Sequence, residues 1–454
     1  MNPSPPLRGL LVALAAFAVL AALAGPALLR PARNNHFTHL ARGWLDGRLE
    51  LAGDPPGYPR AHDDWGRVWT LTLADGSSLR GDPCRTAACE QLRKQGIETW
   101  RPTTGGSVEL RRGDIVRRDS RWYVTFPPGP ALVMLPFVAL WGLGFLDVLF
   151  TALAAALIPA LLVRLLERVR GPGHLREHLW AAAAWTLASP ACFVGAHGSV
   201  WFTAQILGAL FLVLHLDAAW DARQPARACL WLGLAVACRI SIAFALPFFL
   251  LEWWRDGRRV STLLRFLAPL AVIGLAMAAL NWLRFDDPLE FGHRYLDIRW
   301  QSRIQTFGMF SPVYLWRNVQ CMLWLAPQLV TGAPWLRWSI HGMGLLLGSP
   351  WLLLLLRARQ RFPQRLGLWL ATLAVMTPAL LYQNSGQRQF SYRFALDFLP
   401  MLLLLLVVGN GARGRWFPAL VIASAILQLH GAWWFDRDPA RLFVADPWWP
   451  FAPE

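Results

Sequence analysis

The residues best suited to chemistry in this 454-residue chain stand where long apolar runs give way to polar connections. In His62-Asp63-Asp64-Trp65, adjacent carboxylates lie beside an imidazole and an indole. Like charges at that range titrate unequally, which suits a general base, or together they hold a divalent cation; a solvated turn accounts for the same residues. Asp46 is a further carboxylate, placed where it would also terminate a helix. Arg393, in Gln389-Phe390-Ser391-Tyr392-Arg393, sits just outside an apolar run, and arginine gives planar, bidentate phosphate recognition. Tyr392 and Gln389 could assist it. Arg239 interrupts an apolar run, where an ionisable group is costly and marks function unless it snorkels to the surface. Asp286, Asp287, Glu290, His293, Arg294, Tyr295 and Asp297 crowd one connection, which suits sugar or pyrophosphate recognition and equally a water-facing ion-pair network. No P-loop, Rossmann glycine pattern, HExxH or Gly-x-Ser-x-Gly element supports nucleotide-driven transport or hydrolase chemistry.

These residues need elements to hold them. Hydrophobic residues make up 55% of the chain and charged ones 16%, a composition that belongs in a bilayer. Runs long enough to cross it recur at 10–29, 145–166, 180–200, 201–219, 263–282, 345–356, 366–381, 398–409 and 417–434, with two shorter or broken ones at 228–237 and 240–254. The net charge of +16 does not point to nucleic acid. Arginines gather in alternate short connections, the pattern of cytoplasmic loops: Arg164 to Arg176, Arg223 and Arg227, Arg255 to Arg265, Arg357 to Arg365, Arg413 and Arg415. The alternation predicts an α-helical polytopic membrane protein of about eleven transmembrane helices with its N-terminus inside. Residues 1–30 form a retained first span rather than a cleavable signal, and 31–130 a large external loop. Residues 131–436 form an interfacial helix and the remaining spans, and 437–454 a short external tail.

Within the loop, Asn35 to Leu45 predicts a helix whose Phe37, Leu40, Trp44 and Leu45 suit one face lying along the membrane surface. Val68–Leu73, Asp75-Gly76 and Ser77–Arg80 form a hairpin pattern; a second alternation turns at Arg112-Gly113, and Trp122–Phe126 adds another strand. The loop is therefore a small β-containing subdomain. Cys84 and Cys89 could pair in an oxidising compartment. Pro127-Pro128-Gly129-Pro130 forces an extended approach to an interfacial helix over Ala131–Trp141.

The order of a first span, a loop opening with Asn34-Asn35-His36-Phe37-x-x-Leu40-Ala41-x-x-Trp44-Leu45-x-Gly47, then Phe126-Pro127-Pro128-Gly129-Pro130 and an interfacial helix, resembles the GT-C superfamily of membrane glycosyltransferases. The nearest branch is that of the protein O-mannosyltransferases and lipopolysaccharide-modifying transferases, and Asn281–Tyr295 and Gln389–Pro400 resemble a bacterial subgroup. The resemblance implies inverting transfer of a sugar from a polyprenyl-phosphate donor to a glycan, lipid or protein acceptor, at the outer face of the inner membrane, with the long loop in the periplasm. Any cofactor it implies is a divalent metal ion. Members of the superfamily open the loop with an acidic residue, where this chain has Asn34 and Asn35. An amide cannot take the acceptor's proton, so Asp63 or Asp64 replaces the missing acid or the activity is lost or changed. A lipid or saccharide transporter, and a catalytically silent scaffold, are the alternatives in other classes.

Overall fold

A computed structural model of the chain describes residues 4–58, 64–298 and 300–444. It is 63% helical with a small antiparallel sheet. Helix α1 (Pro5–Ala24) continues as a 3₁₀ turn to Leu29 and delivers the chain to the loop. There α2 (His36–Leu45), β1 (Trp65–Leu73), β2 (Ser78–Pro83), α3 (Ala87–Lys94), β3 (Ile97–Pro102), β4 (Val108–Arg111), β5 (Ile115–Val124) and α4 (Gly129–Trp141) follow. The five strands lie in the order β4-β3-β2-β1-β5.

β1 and β2 form the expected hairpin, because Gly76 takes the left-handed conformation (φ 82°) and Asp75 Oδ1 accepts from the backbone N–H of Ser77 at 2.9 Å. The second expected hairpin does not form. Arg112-Gly113 does join β4 to β5, but β4 pairs with β3 while β5 crosses to pair with β1 from Trp65↔Val124 to Leu73↔Ile115. The ten-residue β5 finds a partner of comparable length only in the nine-residue β1, and that pairing buries Trp122, Tyr123 and Val124. α3 and β3, which no apolar period announces, fill the connection, and a Cys84–Cys89 disulfide closes the start of α3. The apolar face of α2 does not lie on the membrane. Phe37, Leu40 and Ala41 pack with Trp65, Trp122, Ala131 and Met134, so the sheet and α4 cover it, leaving Leu45 exposed.

Beyond the loop come α5 (Asp147–Arg170), α6 (Leu175–Leu187), α7 (Ala191–Val194), α8 (Val200–Ala219), α9 (Pro225–Cys238), α10 (Leu246–Arg255) and α11 (Val260–Phe285). They are followed by α12 (Gln301–Phe307), α13 (Leu315–Leu323), α14 (Leu345–Gly348), α15 (Arg365–Leu381), α16 (Leu399–Val408) and α17 (Trp416–Phe435). Among the described residues five helices are long and apolar enough to cross a membrane: α1 with its turn, α5, α8, α11 and α17. The run 180–200 is not one helix. It breaks at Ser189-Pro190, where proline supplies no N–H and the Ser189 hydroxyl donates to the Trp185 carbonyl at 2.6 Å. The run 345–356 is likewise α14 and a 3₁₀ segment, Pro350–Arg357, parted at Ser349-Pro350.

α1 packs on α5, α5 on α8, α8 on α9 and α9 on α11. Ion pairs and hydrogen bonds mark the two ends of this bundle. At one end Arg8 pairs with Glu167, Arg164 and Arg168 hold Asp217, and Arg170 donates to Asn410. At the other, the Ala32 N–H donates to Asp147 Oδ1 (2.6 Å), the Val200 N–H to the Asn34 carbonyl (2.9 Å), and Arg284 Nη1 to the Val124 carbonyl (2.8 Å). The loop subdomain sits on this second end.

Candidate functional site

The first turns of α8 organise the site. Gly198 lets the chain lie against the backbone of α5, since a Cβ there would fall 2.4 Å from the Val148 nitrogen. Trp201, Gln205 and Gly208, spaced i, i+4, i+7, then share one face of the helix. Trp201 Nε1 donates to Asp64 Oδ2 at 2.9 Å. Gln205 accepts from Arg393 Nη1 at 3.1 Å and donates to the Arg393 carbonyl at 3.2 Å. Gly208 leaves space for the stem of Arg239, whose Cγ would be 2.8 Å from a Cβ at that position.

Arg239 lies in extended conformation (φ −147°, ψ 104°) at the break after α9. The loop's last residues seat on this break, for a Cβ on Gly129 would be 2.7 Å from the Ala237 carbonyl. Asp397, at the end of a 3₁₀ turn over Arg393–Asp397, grips Arg239 with Nη2–Oδ2 at 2.8 Å and both oxygens 3.3 Å from Nε. The Ser241 hydroxyl also donates to Asp397 Oδ2 at 2.7 Å. Asp397 is 2% exposed, so the Arg239 cation is neutralised inside the protein.

Arg393 differs. It is 6% exposed, its Nε has no partner, and among the described residues no carboxylate forms an ion pair with it. The Phe394 ring lies against both guanidinium groups, at 5.4 Å from Arg239 and 5.0 Å from Arg393, and Phe202 lies 5.5 Å from Arg393. Asp64, Tyr382 and Asp397 act on Arg393 electrostatically, and Tyr382 in turn feels Arg239, Arg303 and Arg393. The Tyr392 hydroxyl is buried with no hydrogen-bond partner among the described residues. A buried cation with no ion-pair partner of its own is expensive, so this arrangement is chemically suited to an anion that brings its own charge.

The sequence-derived candidates divide accordingly. Asp64, Arg239, Arg393 and Tyr392 come together, and Asp64 takes the left-handed conformation (φ 62°) uncommon for a side-chain-bearing residue. His293 joins them: its Nδ1 is buried with no hydrogen-bond partner among the described residues, its ring meets Phe126 edge-on, and burial with the nearby Arg239 cation pulls its pKa down to about 4. Gln389 fastens the backbone, accepting from the Arg393 N–H at 3.0 Å while donating to the His341 and Ser385 carbonyls. Arg294 does not join the site. It holds Asp82 with Nε at 3.0 Å and Nη2 at 2.9 Å, tying the segment to the sheet. Asp46 also lies apart, at the end of α2, where Arg42 and Arg48 hold its carboxyl below the usual range. Asn35 occupies the residue before α2, its carbonyl accepting from the Thr38 N–H at 3.0 Å. Asp63 lies outside the described residues. Among those described, no group of three histidine, cysteine or acidic residues could hold a metal.

Two carboxylates of this end escaped the sequence reading. Asp397 stands four residues after Arg393, a spacing that points to Arg393 as its partner, yet the 3₁₀ turn directs it to Arg239. Asp147 is 1% exposed at the start of α5, with Oδ1 on the Ala32 N–H and, among the described residues, no partner on Oδ2. The buried Asn34 Oδ1, in the segment that follows Ala32, likewise has no partner among the described residues. An acid therefore stands by the opening of the loop, although a different element supplies it. Comparison with protein-family models, curated proteins and solved structures finds no match for this chain.

Proposed function

We propose that this protein is a GT-C-like integral membrane glycosyltransferase of about eleven spans, with its N-terminus in the cytoplasm and the loop subdomain in the periplasm. It moves a sugar from a polyprenyl-phosphate donor to an envelope acceptor at the outer face of the inner membrane. The buried Arg393, which forms no ion pair among the described residues, beside the Arg239–Asp397 pair carries this reading. The alternation of arginines along the chain and their clustering at the bundle end opposite the loop support the orientation.

In the proposed reaction Asp64 takes the proton of the acceptor hydroxyl as its oxygen attacks the anomeric carbon. The bond from that carbon to the phosphate oxygen breaks, and the phosphate leaves with the electron pair and one more negative charge. Arg393 receives that charge, with the Arg239 guanidinium behind it. His293, neutral at physiological pH, offers no competing cation. Asp147 holds the start of the loop through Ala32.

The test is transfer from a radiolabelled polyprenyl-phosphate sugar in membranes carrying wild type, Asp64→Asn, Asp147→Asn or Arg393→Ala. The expected loss is about a hundredfold or more for Asp64→Asn and Arg393→Ala. Equal transfer by all four proteins would overturn the assignment. Polyprenyl phosphate that co-purifies without any transfer would favour a transporter.

A further inference from the structure

On the face of the sheet turned toward α11, a cleft of about 540 Å³ opens between three separate pieces of chain. Arg48 and Glu50 come from the turn after α2, Thr70, Arg80 and Arg121 from β1, β2 and β5, and Leu283 from the last turn of α11. Three arginines thus line it against a single carboxylate. Arg80 is fixed by Asp286 at 2.7 Å, by the Tyr123 hydroxyl at 3.2 Å and by the Arg284 carbonyl. Arg48 and Arg121 are not. Each uses one nitrogen on a carboxylate, Arg48 on Asp46 at 2.7 Å and Arg121 on Glu50 at 3.2 Å. Both pairs are open to water, where such contacts hold weakly, and each guanidinium has five donors.

The wall supplied by α11 says where the ligand comes from. Only 6% of the apolar window of α11 is buried inside the protein, and at its outer end Trp282 and Leu283 are 61% and 64% exposed. A lipid whose chains lie along this bare helix brings its headgroup to the cleft. We infer that the cleft binds the phosphate headgroup of an anionic membrane lipid lying against α11. This site uses none of the residues around Arg393, and the inference does not depend on the sugar-transfer reading.

The full-length protein in phosphatidylcholine nanodiscs is titrated with spin-labelled phosphatidylglycerol and, separately, with spin-labelled phosphatidylcholine. Variants are Arg48→Ala with Arg121→Ala, which removes charge, and Thr70→Trp, which fills the cleft; Arg393→Ala is the control. Wild type and Arg393→Ala should prefer phosphatidylglycerol by about tenfold or more, and the double arginine variant should lose most of that preference. Thr70→Trp should abolish the preference while keeping the wild-type melting temperature. Equal affinity for the two lipids, an unchanged preference in both cleft variants, or displacement of the lipid by millimolar inorganic phosphate would each overturn the inference. The first and last of these are read on wild type and need no variant to fold.

Discussion

Replacing Asp397 by Asn keeps the size of the side chain and removes the charge that holds Arg239. Breaking a buried ion pair from one side costs roughly 3–5 kcal/mol, because the remaining charge stays desolvated. Here the carboxylate is 3% exposed but the Arg239 side chain is 23% exposed. Water therefore reaches part of the guanidinium, and the loss falls to roughly 2–3 kcal/mol. Unfolding free energies in mixed detergent micelles, measured for wild type, Asp397→Asn, Arg239→Met and the double variant, complete a thermodynamic cycle. The double variant should cost about 1–2 kcal/mol less than the sum of the singles, since neither leaves the other's charge stranded. Additivity to within about 0.5 kcal/mol would refute the claim that Asp397 neutralises Arg239. So would an Asp397→Asn variant as stable as wild type.

Three further outcomes follow from the same geometry. Gly208→Val places a side chain against the Arg239 stem and should cost about 1–3 kcal/mol by overpacking; the melting temperature reads this. His293 titrates near 4 when folded and near 6.5 when unfolded, so the unfolded chain binds more protons between those values and stability falls as pH drops through that window. The expected slope is up to about 1.4 kcal/mol per pH unit, and His293→Phe should remove it from the pH dependence of unfolding. Cys84→Ser should lower the stability of the loop subdomain by about 2 kcal/mol through the lost closure of a short loop, visible as faster amide exchange in α3 and β3.

Local patterns carried much of this fold. The Asp75-Gly76 turn, the bounds of α2, the Cys84–Cys89 pair and the break at Arg239 all rest on a few consecutive residues whose conformational preferences agree. What the sequence concealed is pairing across distance. Nothing near Arg239 names Asp397, 158 residues away, as its counter-ion. Nor does anything in the loop say that Asp147 sits under Ala32, 115 residues before it in the chain. The crossing of β5 to the far edge of the sheet is of the same kind, since a turn signal says that the chain reverses and not which strand receives it. Chemical type alone singles out Asp64 and Arg393, and only the fold supplies α8 as the element that holds both.

The seat of the loop has a consequence for the order in which the molecule is made. The last strand of the loop ends at Val124, but the carbonyl of Ala237 on which Gly129 rests, the Arg284 guanidinium on the Val124 carbonyl and the Arg294 grip on Asp82 all come from chain synthesised later. During translation the five strands must therefore hold together on their own pairing and the Cys84–Cys89 bond for more than a hundred residues of further elongation. Asp64 and Arg393 meet only once residue 393 has been made, so the site is among the last parts of the protein to come into being.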